Sequence, residues 1–114
     1  MTQSERFSWF ICDDVGVVNA PRELDLANAD RLHDCCEAAI EAAGPRIVVD
    51  LAGTMFLDSG ALNVFVQVAR QVKADGGWLR LASGDSSVVQ KVLGITRLDD
   101  FLGNYPSVEK AIEA

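Results

Sequence analysis

Two short runs rich in β-branched and aromatic residues, Phe7 to Cys12 and Val15 to Ala20, flank the pair Asp13-Asp14 near the start of the chain. Such runs, separated by two turn-prone residues, predict the strands of a hairpin, and Pro21 ends the second. From about Asn28 to Ala43 the apolar positions Leu32, Cys36, Ala39, Ile40 and Ala43 keep the spacing of an amphipathic helix, which Gly44-Pro45 stops. The unbroken apolar run Ile47-Val48-Val49, with Leu51, reads as a strand buried on both faces. A loop from Ala52 to Leu57 then leads into a second helix, Ser59 to about Ala74. There Leu62, Phe65, Val66, Ala69 and Val72 recur at helical spacing, and Gly76-Gly77 close the element. The alternating Trp78-Leu79-Arg80-Leu81 predicts the next strand.

Strand, helix and strand in this order form a βαβ unit, whose two strands should be parallel and joined by a right-handed crossover. Asp85 or Ser86 is placed to cap a short helix running through Leu93, with Gly94 as the residue just past its end. Ser107 is placed to cap a last helix carrying Val108, Ala111 and Ile112. The expected fold is therefore α/β: a mixed sheet of about four to five strands flanked by about four helices. With 114 residues, no repeat and no linker, residues 1–114 read as a single domain.

Composition narrows the function. At 49% hydrophobic and 24% charged residues the chain can bury a core, which excludes intrinsic disorder. Ten basic against seventeen acidic residues give a net charge of -7, which disfavours nucleic acid and anionic membrane surfaces as partners. No apolar run is long enough to span a bilayer, and Met1 to Arg6 lack the order of a signal peptide, so a cytoplasmic location is expected. Cys12, Cys35 and Cys36 are odd in number and have neither zinc-ligand nor thioredoxin-type spacing. A Ser/His/Asp triad would have to use His33, the single histidine, and no G-x-S-x-G, P-loop, G-x-G-x-x-G or H-E-x-x-H pattern occurs. A non-enzyme without cofactor or metal is expected.

Functional loops of open α/β sheets lie where a strand ends and the following helix presents unpaired N–H groups. Here that place holds Phe56-Leu57-Asp58-Ser59-Gly60-Ala61-Leu62. Asp58 or Ser59 can serve as a helix cap, but capping does not explain the apolar Met55-Phe56-Leu57 in front of it. A phosphate on Ser59 would add about -1.5 to -2 charge, tolerated by the helix end and repelled by Asp58. It would turn a mostly apolar surface strongly negative, enough to eject a docked partner.

Phe56-Leu57-Asp58-Ser59, preceded by the strand Ile47 to Leu51 and followed by an amphipathic helix, resembles the signature of STAS domains, and specifically of bacterial anti-sigma factor antagonists. The resemblance runs from about Val15 to Ala114. It includes Glu23-Leu24-Asp25, the segment Gly76 to Leu81, Leu93-Gly94-Ile95 followed by Leu98-Asp99, and the ending Tyr105 to Ala111. It implies a mixed sheet flanked by helices. It also implies that Ser59 is phosphorylated by an anti-sigma factor that is a serine protein kinase, and that a phosphatase resets it. Unphosphorylated, the antagonist binds the anti-sigma factor and frees the sigma factor; phosphorylated, it lets go. It implies that Asp25 and Asp58 lie beside Ser59 at the docking surface, and Arg22, Leu57, Gly60 and Asn63 are the further residues expected to bind the partner.

Two features depart from the family pattern. Ser59 is followed by Gly60 and Ala61 where a second hydroxyl and then glycine are usual, and Arg22 replaces the glycine before Glu-Leu-Asp. Gly60 is expected to loosen the first helical turn, and Arg22 to pair with Asp25 or Asp58 or to meet a phosphate on Ser59. Both bear on kinase recognition more than on the fold. Two other functions remain open. One is a sensor holding a small anion or nucleotide at the same helix end, and the other is redox control through Cys35 or Cys36 pairing with Cys12 or with a second chain.

Overall fold

Asp13 and Asp14 both take left-handed backbone angles, φ 52° and 64°, the geometry that lets a two-residue loop follow the twist of a hairpin. They join β1 (Ser8–Cys12) to β2 (Val15–Asn19) in antiparallel register, Cys12 opposite Val15. The chain, a computed structural model, is described over residues 7–114; the expectation that Met1 to Arg6 are no leader lies outside them. Among the described residues no helix is long and apolar enough to cross a membrane.

β2 is followed by α1 (Ala29–Ala43) and β4 (Arg46–Asp50), and β4 by α2 (Ser59–Ala74) and β6 (Trp78–Ala82). β4 lies between β2 and β6 and pairs in parallel with both, so two βαβ units share the strand Arg46–Asp50. β7 (Asn104–Tyr105) adds a short parallel edge, giving a five-stranded mixed sheet in the order β1-β2-β4-β6-β7. Val48 and Val49, on opposite faces of β4, are both fully buried, as a central strand requires.

The larger core lies under α1 and α2, where Leu32, Cys36, Phe65, Val68 and Val72 pack on Ile47, Val49 and Leu81. On the other face the six-residue α5 (Val108–Glu113) covers Val15, Val48 and Ala82 through Ala111. Arg80 lies there with its guanidinium 3.6 Å from the Trp78 ring centre and donates to the Ala111 carbonyl at 3.0 Å, a cation–π contact that also holds the end of α5.

One open choice is resolved and two expectations are corrected. α3 (Ser87–Thr96) is capped by Ser86, whose Oγ accepts from the Val89 amide, and Asp85 takes no part in the cap. Gly94 does not end it: buried Val89 and Leu93 hold the helix down, and Arg97 (φ 61°) supplies the left-handed residue at its end. A further single turn, α4 (Leu98–Leu102), buries Leu102. The expected loop before Ser59 contains β5 (Phe56–Leu57), which pairs in parallel with β3 (Glu23–Leu24) in a second, two-stranded sheet.

Candidate functional site

The two-stranded sheet holds the site together. Arg22 offers its carbonyl to the amides of Met55 (2.7 Å) and Phe56 (3.3 Å), and Leu24 accepts from the Asp58 amide at 3.2 Å. Alternation along β5 then places Leu57 in the core, 6% exposed, and leaves Phe56 outside beside Met55. The apolar run therefore has two roles. Leu57 anchors the segment from below, while Met55 and Phe56 face solvent together with Leu26, which is 78% exposed.

Asp58 is the N-cap of α2, in extended conformation. Its Oδ1 accepts from the Gly60 amide at 2.9 Å and its Oδ2 from the Leu26 amide at 3.1 Å. One carboxylate thus closes the first turn of the helix and ties the loop after β3 to it. Ser59, the first residue of α2, is exposed, as is Asn63 one turn on. Gly60 follows in the same turn, close against the loop that carries Leu26. A Cβ there would lie 2.9 Å from the Leu26 Cα, so the glycine is what lets the loop approach the helix.

Asp25 is locked by a reciprocal pair of bonds. Its amide donates to the Asn28 side chain at 2.9 Å, and the Asn28 amide donates to its Oδ1 at 3.1 Å. Asn28, 4% exposed, also donates to the Glu23 carbonyl at 2.8 Å, so it turns back to the loop and makes no side-chain cap bond to α1. Buried Thr54 donates to the Pro21 carbonyl at 2.9 Å, and Ser86 donates to the Thr54 carbonyl at 2.7 Å. Satisfied buried bonds of this kind hold a loop in one conformation. Residues 21–28, 52–58 and the start of α3 form one frame around Ser59. Asn28, Thr54 and Ser86 are its supports; sequence reasoning singled out none of them for this role and read Ser86 only as a candidate helix cap. A buried polar side chain in a loop carries no periodic signal.

Arg22 is exposed, and its guanidinium pairs with neither Asp25 nor Asp58; its contribution is the carbonyl that receives β5. Between α1 and α2, a groove of about 370 Å³ starts at Gly60 and Asn63 and runs past Leu26, Asp30 and His33. His33 Nε2 lies 3.7 Å from Glu37 Oε1 on the same helix. The Gly60 amide that an anion would use at this helix end is already occupied by Asp58. All three cysteines are free thiols. Burial pushes the Cys36 thiol up to about 12, with Cys35 and Glu37 adding to the effect, and burial also raises Cys35. Neither is a ready thiolate at neutral pH. Among the described residues no group of three or more His, Cys, Asp or Glu side chains could hold a metal ion.

The double duty of Asp58 makes a test. Asp58→Ala should lower stability by about 2 kcal/mol, losing the cap and the Leu26 tie together. Asp58→Asn, an equally good cap with a single acceptor oxygen, should lose about half as much. Urea denaturation measures both, and an asparagine variant as stable as the parent would mean that the tie to Leu26 contributes nothing.

A model of the STAS domain family matches residues 11–111. A candidate anti-sigma factor antagonist of Thermotoga maritima is 27% identical over 108 residues, covering 94% of this chain and 95% of that protein. The crystal structure of a Thermotoga maritima candidate antagonist superposes with a TM-score of 0.80 at 26% identity, over 94% of this chain and 92% of that one. Phosphorylated SpoIIAA, a cell fate determinant of Bacillus, shares the fold with a TM-score of 0.70 at 21% identity, over 95% and 97% of the two chains.

Proposed function

The chain belongs to the STAS domain family, and from that premise we propose that it is an anti-sigma factor antagonist switched at Ser59. In this reading it works by binding and turns over no substrate. It docks on an anti-sigma factor of the serine protein kinase type and so frees a sigma factor. The kinase then transfers the γ-phosphoryl group of ATP to the Ser59 oxygen, the hydroxyl proton passing to a base on the kinase and ADP leaving. The phosphorylated antagonist dissociates, and a phosphatase restores the hydroxyl by hydrolysis.

The observation that carries this reading is the setting of Ser59. It is an exposed hydroxyl on the first turn of a helix, held beside a carboxylate that cannot swing away and bordered by the exposed apolar side chains of Leu26, Met55 and Phe56. An apolar surface of this kind suits a docked protein. A phosphate added at its edge removes the docking by charge, without refolding the domain. Gly60 makes room for the loop that carries Leu26, so the departure from the usual residue after the serine belongs to the local packing.

The host's kinase-type anti-sigma factor, incubated with this protein and ATP, should place one phosphate on the peptide containing Ser59 and none on Ser59→Ala. Mass spectrometry of the digested protein reads the outcome. A kinase that binds the antagonist yet phosphorylates another residue, or none, would overturn the switch.

A further inference from the structure

The outer edge of β1 is a second candidate surface, on a different element from Ser59. β1 ends the sheet, and among the described residues nothing pairs with its outer side. Cys12 and Val15 flank a two-residue turn, which makes them a hydrogen-bonded pair, and the alternation of an antiparallel ladder follows from there. Phe10 bonds inward to Val17, while Trp9 and Ile11 turn their N–H and C=O groups outward. The strand Ser-Trp-Phe-Ile-Cys carries no charge and no proline, and Trp9, Phe10 and Ile11 are 38%, 47% and 49% exposed. Natural edges are normally guarded by such residues or covered by another element.

On the face opposite α2, the edge adjoins a groove of about 570 Å³ between β1 and α5. Phe10, Val108 and Ile112 form its apolar lining, Asp13, Glu109 and Glu113 supply three carboxylates, and no basic residue lines it. We infer that this edge and groove bind an extended segment of a partner protein, apolar at alternate positions and basic at its ends, by strand addition to β1. The outward groups of Trp9 and Ile11 would supply the backbone bonds, every second side chain would enter the groove over Phe10, and flanking lysines or arginines would meet the carboxylates. A second copy of this chain fits less well, because it carries the same three carboxylates and a net charge of -7 to the same edge.

The test is an NMR titration of the isotopically labelled protein with a synthetic peptide of alternating valine and threonine bearing two lysines at each end. The amide signals of Trp9 and Ile11 should shift more than those of Ser59 and Gly60. The same peptide with glutamates at its ends should bind at least about tenfold more weakly. Glu109→Lys combined with Glu113→Lys should invert that preference. The two-peptide comparison stands on its own if the double variant does not fold. The inference is independent of the partner switch, so the Ser59→Glu protein should respond to the peptide as the parent does. Equal affinity for both peptides, or no shift at Trp9 and Ile11 at millimolar peptide, would overturn it. So would shifts of those two amides with protein concentration alone, which would assign the edge to a second copy.

Discussion

Gly77→Ala is expected to destabilise the protein by about 3 kcal/mol or more, lowering the melting temperature by roughly 12 °C or more. A Cβ at this position would stand 1.9 Å from the Pro45 carbonyl oxygen and 2.5 Å from its carbonyl carbon. Both are backbone atoms and cannot rotate away. The same carbonyl accepts from the Trp78 amide at 3.0 Å, one residue before the Arg46–Trp78 pair that starts the β4–β6 ladder. Relief would require moving the first residues of the central parallel pairing. Gly76 is the internal control. It takes φ 81° at the end of α2, its amide bonds to Lys73 and that of Gly77 to Val72, the paired bonds of a Schellman motif. Nothing lies within 4 Å of a Cβ there. Gly76→Ala should therefore cost only the left-handed conformation, about 1 kcal/mol. Thermal and urea unfolding of the two variants separate the roles, and equal losses would show that close approach is not what Gly77 serves.

Those two glycines also show how far the sequence could be read. As a pair they mark the end of a helix, and they do end one. That the first serves a dihedral angle and the second a neighbouring carbonyl depends on Pro45, which is distant in sequence. The same holds for the architecture. Leu32-Cys36-Ala39 and Phe65-Ala69-Val72 repeat over several turns, and Ile47-Val48-Val49 is unbroken, so the two long helices and the central strand were legible. β3, β5 and β7 have two residues each, too few for any period, and exist because a distant strand offers them a partner. Gly94 looked like a helix end because glycine is common there, but the burial of Leu93 and the left-handed Arg97 outweigh that preference.

At the site, a cap at Asp58 or Ser59 was legible because a cap has a local signature, and the structure gives it to Asp58. Gly60 could be read only as a loose point in the turn; the room it makes for Leu26, thirty-odd residues earlier, exists only in the fold. Arg22 suggested a charge partner and contributes a carbonyl. Leu57 was grouped with the expected docking residues, but its side chain is buried in the core. In each case the chain itself gives the residue type, and a long-range contact decides which of its atoms matters.

Ser59→Glu should reduce affinity for the cognate kinase-type anti-sigma factor by about a hundredfold or more, on the order of 2.8 kcal/mol. The argument is electrostatic. Both Asp58 oxygens are already engaged, by Gly60 and Leu26, so the neighbouring carboxylate cannot move away from a new charge. A partner covering Leu26, Met55 and Phe56 would strip water from that charge and leave it facing Asp58, a desolvation with no compensating bond. The isolated domain should hardly notice, because Ser59 is exposed on the first turn of α2, where the helix dipole favours an acid. Its stability is expected to stay within about 0.5 kcal/mol of the parent. Ser59→Ala should bind as the parent does while resisting phosphorylation, which separates loss of the hydroxyl from gain of charge. Calorimetric titration of the three proteins, with thermal unfolding alongside, gives the comparison. If the glutamate variant bound within about threefold of the parent, charge at the first turn of this helix would not be what releases the partner.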